Sequence, residues 1–195
     1  MQNESKICLP QYYLITGKDP KNTSAFLSTL EKCLQSGISL VQLRAKDLTS
    51  TQYEFLAKET IVLCHSYKVK ILLNNNISLT QELGADGVHL TSASLLKNKV
   101  RPLNKEFIVA ASCHNKNELL HAKRLNIDFV TLSPVLPTTS HPGTISLGWK
   151  QFKSLLELIN IPIFALGGLK KADLNLAIEC GAYGIAAIGA LWNIE

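Results

Sequence analysis

The amino-acid sequence predicts an α/β protein that folds as a single (β/α)8 TIM barrel over residues 1–195. Short runs of apolar and β-branched residues alternate with stretches of helical periodicity along the chain, and eight such runs are present. Nearly continuous apolar strands between helices are typical of a parallel sheet that is covered on both faces. Eight strand–helix units of this kind close into a barrel.

These apolar runs give eight predicted strands, at Tyr12–Thr16, Leu40–Ala45, Ile71–Asn74, Gly87–Leu90, Phe107–Ser112, Phe129–Val135, Ile163–Leu166 and Ile185–Ile188. Apolar residues three and four positions apart predict helices at Thr23–Gln35, Thr51–His65, Lys116–Leu125, Trp149–Leu158 and Lys171–Cys180. The segments after strands three and four, Ile77–Leu83 and Ser92–Asn98, allow only short helices. Few residues follow the eighth strand, so the eighth helix is expected to be nearly absent.

Recurring sequence marks the helix ends. The segments Gly84–Val88 and Gly181–Ile185 are nearly identical in units four and eight, and each begins directly after a helical stretch. Glycine at this position adopts the left-handed conformation at little cost, so it ends the helix and turns the chain back. Thr51 with Glu54 fits a capping box at a helix start, and Asn115 resembles a second N-cap.

Composition and charge narrow the classes of partner. The 20 basic and 15 acidic residues give a net charge of +5, and the basic residues are dispersed. This favours attraction for an anionic small molecule, or simple solubility, over binding of a nucleic acid. The apolar runs are too short to cross a membrane and the first residues lack a basic-then-apolar pattern, so we expect neither a membrane span nor secretion. Five cysteines without a C-x-x-C pair indicate free thiols in a reducing cytoplasm.

The nearly absent eighth helix has a consequence for assembly. It would leave part of the barrel wall uncovered, and exposed apolar surface of this kind is typical of subunit contacts. We therefore expect a homo-oligomer with a contact over this region.

Polar residues at the end of the second predicted strand indicate an anion site. Gln42, Arg44 and Lys46 are two residues apart, so they share one face, whereas Leu43 faces the helices. Active sites of these barrels lie at the C-terminal ends of the strands. Such groups are costly to bury unpaired, and an anionic ligand would satisfy them. The alternative is that Lys46 belongs to a solvated loop and Arg44 pairs with a structural carboxylate.

A second candidate anion site follows strands seven and eight. Gly167-Gly168 ends the seventh strand and Ile188-Gly189 ends the eighth. Glycines let backbone N–H groups approach a phosphate, and these two loops commonly bind phosphate in such barrels. The alternative is a tight turn, which a Gly-Gly pair alone marks more often.

The fifth predicted strand ends in Ser112-Cys113-His114. Ser112 and His114 share a face and Cys113 points away, so a Cys–His nucleophilic pair is not expected. A histidine at the C-terminal end of a strand, beside an inward-facing serine, is a candidate general acid or base. The alternative is a structural histidine, which is also what we predict for His89 in the fourth strand.

A long polar loop follows the sixth strand and runs from Ser133 to Gly143. Its hydroxyl groups and glycine suit a loop that grips a ligand, since long loops in compact domains tend to be functional. The alternative is a connection stiffened by prolines. The candidate binding residues of this loop are Thr138, Thr139, Ser140 and His141.

Seven motifs, taken in order, resemble the thiamine phosphate synthase/TenI family over nearly the whole chain. They are Gln42-x-Arg44-x-Lys46, Leu73-Asn74, the segment 84–90, Ser112-x-His114, Pro137-Thr138-x-Ser140, Gly167-Gly168 and Gly181-Ala182-x-Gly184-Ile185. The resemblance implies an enzyme of thiamine biosynthesis that binds a small phosphorylated heterocycle, a thiazole phosphate or thiamine phosphate.

The resemblance also implies residue roles. In the synthases of the family, a thiazole phosphate traps a carbocation-like species formed from a pyrimidinylmethyl diphosphate. The residues that would hold the diphosphate are Gln42, Arg44, Lys46 and Asn74. The residues that would hold the thiazole phosphate are those from Thr138 to Ser140, Gly168 and Ile188-Gly189.

This sequence departs from the synthase pattern at the metal-binding positions. Synthases have an aspartate directly after the asparagine that matches Asn74, and another beyond the fourth strand, which hold Mg²⁺ against the diphosphate. This chain has Asn75 and Ser94 there, and neutral groups are poor substitutes for carboxylates around a hard dication. His141 replaces a lysine of the loop, and Gly189 replaces a serine.

These departures favour a TenI-like thiazole tautomerase, in which His114 is the acid/base residue and no metal ligand is required. One alternative is a genuine thiamine phosphate synthase, favoured by Gln42, Arg44 and Lys46, for which Mg²⁺ would be a cofactor. Another is a non-catalytic binder of a phosphorylated ligand.

Overall fold

The strands of the computed structural model, which describes residues 8–17, 21–138 and 143–193, form one closed barrel. Each strand pairs in parallel with the next along the chain, and the eighth pairs with the first. The strands are Tyr12–Ile15 (β1), Leu40–Leu43 (β2), Lys70–Asn74 (β3), Gly87–Leu90 (β4), Ile108–Cys113 (β5), Phe129–Leu132 (β6), Ile163–Leu166 (β7) and Gly184–Ala187 (β8). All eight predicted strands are confirmed. The differences are confined to strand ends: β1, β2, β6 and β8 end before the predicted residue, whereas β3 and β8 begin one residue earlier and β5 is shifted by one residue.

The helices alternate with the strands as predicted. They are Thr23–Gln35 (α1), Ser50–Ser66 (α2), Ile77–Leu83 (α3), Ser92–Lys97 (α4), Lys116–Arg124 (α5), Gly148–Leu156 (α6), Leu174–Glu179 (α7) and Gly189–Trp192 (α8). The short helices after β3 and β4 are confirmed, and α8 is a single turn. The predicted helix Lys171–Cys180 is instead a 3-10 turn, Lys171–Asp173, followed by α7. Within the described ranges, every helix is too short or too polar to cross a lipid bilayer.

The helix ends confirm part of the predicted capping. Gly84 after α3 and Gly181 after α7 have φ angles of 70° and 93°, the left-handed region that glycine favours. The capping box of α2 lies at Thr49, not at Thr51 as predicted, because Thr49 has the extended backbone of an N-cap and its hydroxyl accepts from Gln52 N–H. Asn115 caps α5 as predicted.

The single turn of α8 covers the junction between β8 and β1. The Trp192 ring packs against Phe26 of α1 with a centroid distance of 4.9 Å. It also lies so close to Gly17, just after β1, that a Cβ atom there would come within 2.2 Å of the ring. The Sγ atom of Cys33 in α1 donates to the carbonyl of Leu191 at 3.4 Å. The short helix therefore joins the last strand–helix unit of the barrel to the first through side-chain packing.

Three aromatic side chains, together with smaller apolar ones, pack in the barrel interior below its open end. We call these three the aromatic floor: Tyr13, Phe129 and Phe164. Their ring centroids lie 5.2–5.7 Å apart and all three are fully buried. The next inward residues along β1 and β7, Ile15 and Leu166, line the cavity above. The floor closes the barrel from below and leaves one open end for a ligand.

Asp86, at the opposite end of the barrel, ties α2, β3 and β4 together. Its carboxylate accepts hydrogen bonds from Lys70 Nζ at 2.6 Å, Ile71 N at 3.0 Å and His65 Nε2 at 3.0 Å. Burial raises the pKa of the Asp86 carboxyl, but these three donors outweigh burial and hold that pKa below its usual value of 3.8. The ionised form is therefore the one that stabilises the fold.

An Asp86→Asn variant should lose about 2 kcal/mol of unfolding free energy at pH 7, because the carboxylate is the shared acceptor. A lowered folded-state pKa contributes stability that is present above about pH 4 and is lost as the pH falls through the folded pKa. Urea denaturation at pH 7 and below pH 4 measures both effects. The difference between wild type and variant should shrink in acid, and a difference that stays constant with pH contradicts the assignment.

Candidate active site

A cavity of about 310 Å³ opens at the C-terminal ends of the strands. Its walls bring together eight residues predicted from the sequence: Gln42, Arg44, Lys46, Asn74, Ser112, His114, Thr138 and Ile188. They come from several strands or the loops after them, as strand parity predicts. Gly168 and Gly189 line an adjoining pocket. The other predicted loop residues, Thr139, Ser140 and His141, lie outside the described residues.

One wall of the cavity is cationic. Arg44 follows β2 and its backbone is held by Thr16, whose Oγ1 accepts from Arg44 N–H at 2.9 Å. Within residues 8–17, 21–138 and 143–193, the side chains of Arg44 and Lys46 have no ion-pair or hydrogen-bond partner, and no carboxylate lines the cavity. The alternative in which Arg44 pairs with a structural carboxylate is therefore not what the described residues show. The wall suits an anionic group.

His114 forms a pair with Glu118 at the cavity mouth. Its Nδ1 lies 3.0 Å from Glu118 Oε2, which also accepts from the His114 backbone N–H at 2.6 Å. Glu118 Oε1 accepts from Asn115 Nδ2 at 3.0 Å. The carboxylate is nearly buried, whereas 43% of the His114 side chain is exposed. Glu118 thus orients the imidazole and leaves its Nε2 side accessible.

Sequence reasoning assigned Glu118 no role in the site. The sequence feature that could have identified Glu118 is its position as the third residue of α5, after the N-cap Asn115. From this position its side chain reaches back toward the end of β5. Reciprocal bonding in a capping box usually joins the glutamate to the N-cap N–H. Here Glu118 accepts from the residue before the cap, and this shift brings it to His114.

His89, which the sequence predicts to be a structural histidine, lies on the wall of the cavity. Only 2% of the residue is exposed. Tyr13 Oη lies 3.1 Å from its Nδ1 and Ser112 Oγ lies 2.9 Å from its Nε2. Gln42 Nε2 donates to Tyr13 Oη at 3.0 Å. Burial lowers the pKa of His89 to about 3, so this histidine is neutral.

The adjoining pocket is lined largely by backbone and has a volume of about 240 Å³. Gly168 has a φ of 69°, and a Cβ atom on it would lie 2.4 Å from Pro137 O, so no other residue fits there. Leu136 N–H donates to Gly167 O at 3.0 Å, which joins the loops after β6 and β7. Gly189 begins α8, and the first N–H groups of a helix have no partner within it. The pocket suits a phosphate.

A barrel whose open end carries a cationic wall beside a glycine-lined pocket belongs, by fold and site, to the class of barrels suited to small phosphorylated ligands. The family model described as thiamine monophosphate synthase matches residues 12–191. The chain belongs to this family, the thiamine phosphate synthase/TenI family of enzymes, and the resemblance predicted from its motifs is confirmed.

Relatives of known name agree with this membership. A putative thiamine-phosphate synthase 2 of Aquifex aeolicus is 41% identical over 180 residues, which cover 92% of this chain and 96% of that protein. A thiamine-phosphate synthase of Streptococcus suis is 35% identical over 190 residues, covering 95% and 83%. The solved thiamine phosphate pyrophosphorylase from Pyrococcus furiosus has a TM-score of 0.77 at 21% identity, covering 95% of this chain and 88% of that chain, which shows the shared fold.

The residues at the expected magnesium positions do not fit a hard dication. Asn75 Oδ1 lies 3.5 Å from Thr91 Oγ1, and Ser94 N–H donates to that same hydroxyl at 3.2 Å. Both side chains are neutral. Across the described part of the chain, no group of three or more His, Cys, Asp or Glu side chains is arranged to hold a metal ion. Mg²⁺ prefers carboxylate oxygens, so these residues do not supply a site of the synthase kind.

Proposed function

We propose that this protein binds a thiazole phosphate that carries a carboxylate and catalyses its tautomerisation by moving a proton through His114. The observation that carries the proposal is the His114–Glu118 pair at the mouth of a cavity that, among the described residues, has two unpaired cations and no carboxylate. Such a cavity complements a ligand with two anionic groups and supplies one acid/base residue.

The two anion sites divide the ligand between them. The phosphate would lie in the pocket formed by Thr138, Gly168, Ile188 and Gly189, where backbone N–H groups would be its donors. The carboxylate would face the cationic wall, where the guanidinium of Arg44 could donate two parallel hydrogen bonds to it. In this proposed arrangement the heterocycle would lie between the two sites, beside Ser112 and His114.

The proton transfer follows from the histidine's own contacts. With the proton on Nδ1, His114 donates to Glu118 and leaves the lone pair of Nε2 free. Nε2 accepts the proton of a C–H bond of the heterocycle, and the electron pair of that bond passes into the conjugated system. His114 then returns the proton to another carbon of the same system, so that the product is an isomer of the ligand. The carboxylate of Glu118 stabilises the imidazolium that exists between the two transfers.

Thiamine phosphate synthesis is the second candidate. It is supported by the names of the relatives and by Gln42, Arg44, Lys46 and Asn74 on the cavity wall. The neutral groups at Asn75 and Ser94 speak against it, because the leaving diphosphate would lack the charge stabilisation that Mg²⁺ gives in the synthases.

A thermal-shift screen coupled to turnover tests the proposal. Thiazole phosphate and its carboxylate should raise the melting temperature by about 5–10 °C at about 100 times Kd, with or without Mg²⁺. Proton NMR should then show conversion of the carboxylate tautomer. Formation of thiamine phosphate from both synthase substrates with Mg²⁺, without tautomerisation, would replace the proposal by the second candidate. Binding with neither reaction would indicate a non-catalytic binder.

Three broader expectations remain predictions. A cytoplasmic location is supported by the free cysteines Cys8, Cys33, Cys64, Cys113 and Cys180. A homo-oligomer is supported by exposed apolar side chains on α7 next to β8, Leu176 and Ile178, although Leu191 and Trp192 of α8 are buried within the chain itself. The organisation of residues 1–195 as one domain is supported by the barrel that β1 and β8 close together.

A further inference from the structure

We propose that Tyr13 and His89 are positioning residues that orient the Ser112 hydroxyl as a hydrogen-bond donor to the ligand. The inference rests on the proposed function only for the identity of that ligand. It is carried by a buried chain of three hydrogen bonds across the barrel, from Gln42 through Tyr13 and His89 to Ser112, with lengths of 3.0, 3.1 and 2.9 Å.

The direction of donation along this series of hydrogen bonds follows from its first member, Gln42. The amide Nε2 of Gln42 can only donate, so the Tyr13 oxygen accepts. The Tyr13 O–H then donates to His89 Nδ1, which must carry a lone pair. A neutral imidazole with a lone pair on Nδ1 has its proton on Nε2, so His89 donates to Ser112 Oγ.

The opposite direction is unfavourable. If Ser112 donated to His89 Nε2, the Nδ1–H of His89 would point at a Tyr13 oxygen that already accepts from Gln42. The Tyr13 O–H would then have no acceptor, and a buried donor without a partner is costly. Tyr13 is fully buried, so water does not relieve that cost.

Burial also prevents Tyr13 and His89 from ionising, and ionisation of either side chain would change the direction of the hydrogen bonds. It raises the pKa of the Tyr13 hydroxyl above its usual range and lowers that of His89 to about 3. At neutral pH both groups are uncharged. The chain is therefore a fixed relay of neutral groups, each of which donates to the next.

The relay ends in the cavity. Ser112 Oγ accepts from His89, so its own hydrogen is left for another acceptor, and among the described residues it has no second partner. Ser112 lines the cavity, where the ligand heterocycle would lie. The site thus favours a ligand with an acceptor at this point, such as an unprotonated ring nitrogen or a carboxylate oxygen, over one that presents an N–H group.

Tyr13→Phe separates this role from packing. The phenylalanine ring keeps the contacts of the aromatic floor with Phe129 and Phe164, while the hydroxyl that sets the tautomer of His89 is removed. A matched control is Tyr183→Phe. Tyr183 also packs against Phe164, but its hydroxyl donates to Leu9 O, outside the cavity.

Nitrogen-15 NMR of the His89 imidazole tests the direction without a ligand. The wild type should show the tautomer with the proton on Nε2, and Tyr183→Phe should show the same. A wild-type His89 with its proton on Nδ1 would overturn the inference and leave the proposed function standing.

A double-mutant cycle tests the link to the ligand. Tyr13→Phe should weaken binding of the thiazole phosphate carboxylate by about fivefold in the wild-type background. It should have no further effect in a Ser112→Ala background, because the relay then has no end group to orient. An equal loss in both backgrounds would mean that Tyr13 acts through packing alone and would overturn the inference. Failure of the wild type to bind would instead contradict the proposed function, and the NMR result would still decide the direction of the relay.

Discussion

Replacing His114 with alanine should lower the rate of thiazole tautomerisation by about 10²–10⁴-fold, the range expected for loss of a general acid/base residue. The affinity for the ligand should change little, because the two anionic groups are held by other residues. Steady-state kinetics with the thiazole phosphate carboxylate measure the rate, and thermal shifts measure the affinity. The effect is large because His114 is the only exposed imidazole that lines the cavity among the described residues.

Two further variants define what the histidine does. Glu118→Gln keeps a hydrogen-bond acceptor for Nδ1 but removes the charge, so a smaller loss of rate is expected than for His114→Ala. His121→Ala is the matched control, since His121 lies on α5 but its Nε2 contacts Asn98 O, away from the cavity. An unchanged rate in His114→Ala would exclude the proposed mechanism.

Replacing Arg101 with leucine should lower the free energy of unfolding by about 3 kcal/mol, as loss of one partner of a largely buried ion pair does. The Arg101 guanidinium contacts Asp128 Oδ2 at 2.6 Å and donates to three backbone carbonyls, those of Leu103, Phe107 and Asn126. The variant leaves the Asp128 carboxylate without its cation, and both side chains are mostly buried. Urea denaturation should show a lower midpoint with an unchanged slope.

Lys58→Met is the control for Arg101. Lys58 pairs with Glu54 at 2.6 Å on the exposed face of α2, where solvent screens the interaction, so little change in stability is expected. If Arg101→Leu lowers the free energy of unfolding no more than Lys58→Met does, the contacts of Arg101 do not stabilise the fold as proposed.

Features of the fold that depend only on residues close together in the sequence can be predicted from the sequence. Alternation along a strand is a local property, so the pattern alone predicts that Gln42, Arg44 and Ser112 face the barrel interior, and all three line the cavity. The alternation of faces along a strand also applies to His89, which is two residues after Gly87. Its central position in a short apolar strand nevertheless favours a structural role. Its contacts with Tyr13 cross the barrel, and no local pattern reports them.

Helix starts show the other limit of sequence reasoning. Thr49 and Thr51 are both good N-cap residues, and the choice between them depends on which has an extended backbone after the turn from β2. The role of Glu118 likewise depends on how the chain turns between β5 and α5. The capping preferences of the side chains cannot distinguish these alternatives, because each alternative places a suitable residue at the N-cap.

The packing of Trp192 against Phe26 and Gly17 lies where the barrel closes, because it joins residues that follow β8 to residues beside β1. The strands β1 and β8 are far apart in the sequence, and Tyr12 pairs with Ile185 only when all of the chain between them has been brought into one loop. Until then both strands have unpaired edges, which are prone to aggregate. Because closing so long a loop costs conformational entropy, we expect the pairing of β1 with β8 to form late in folding.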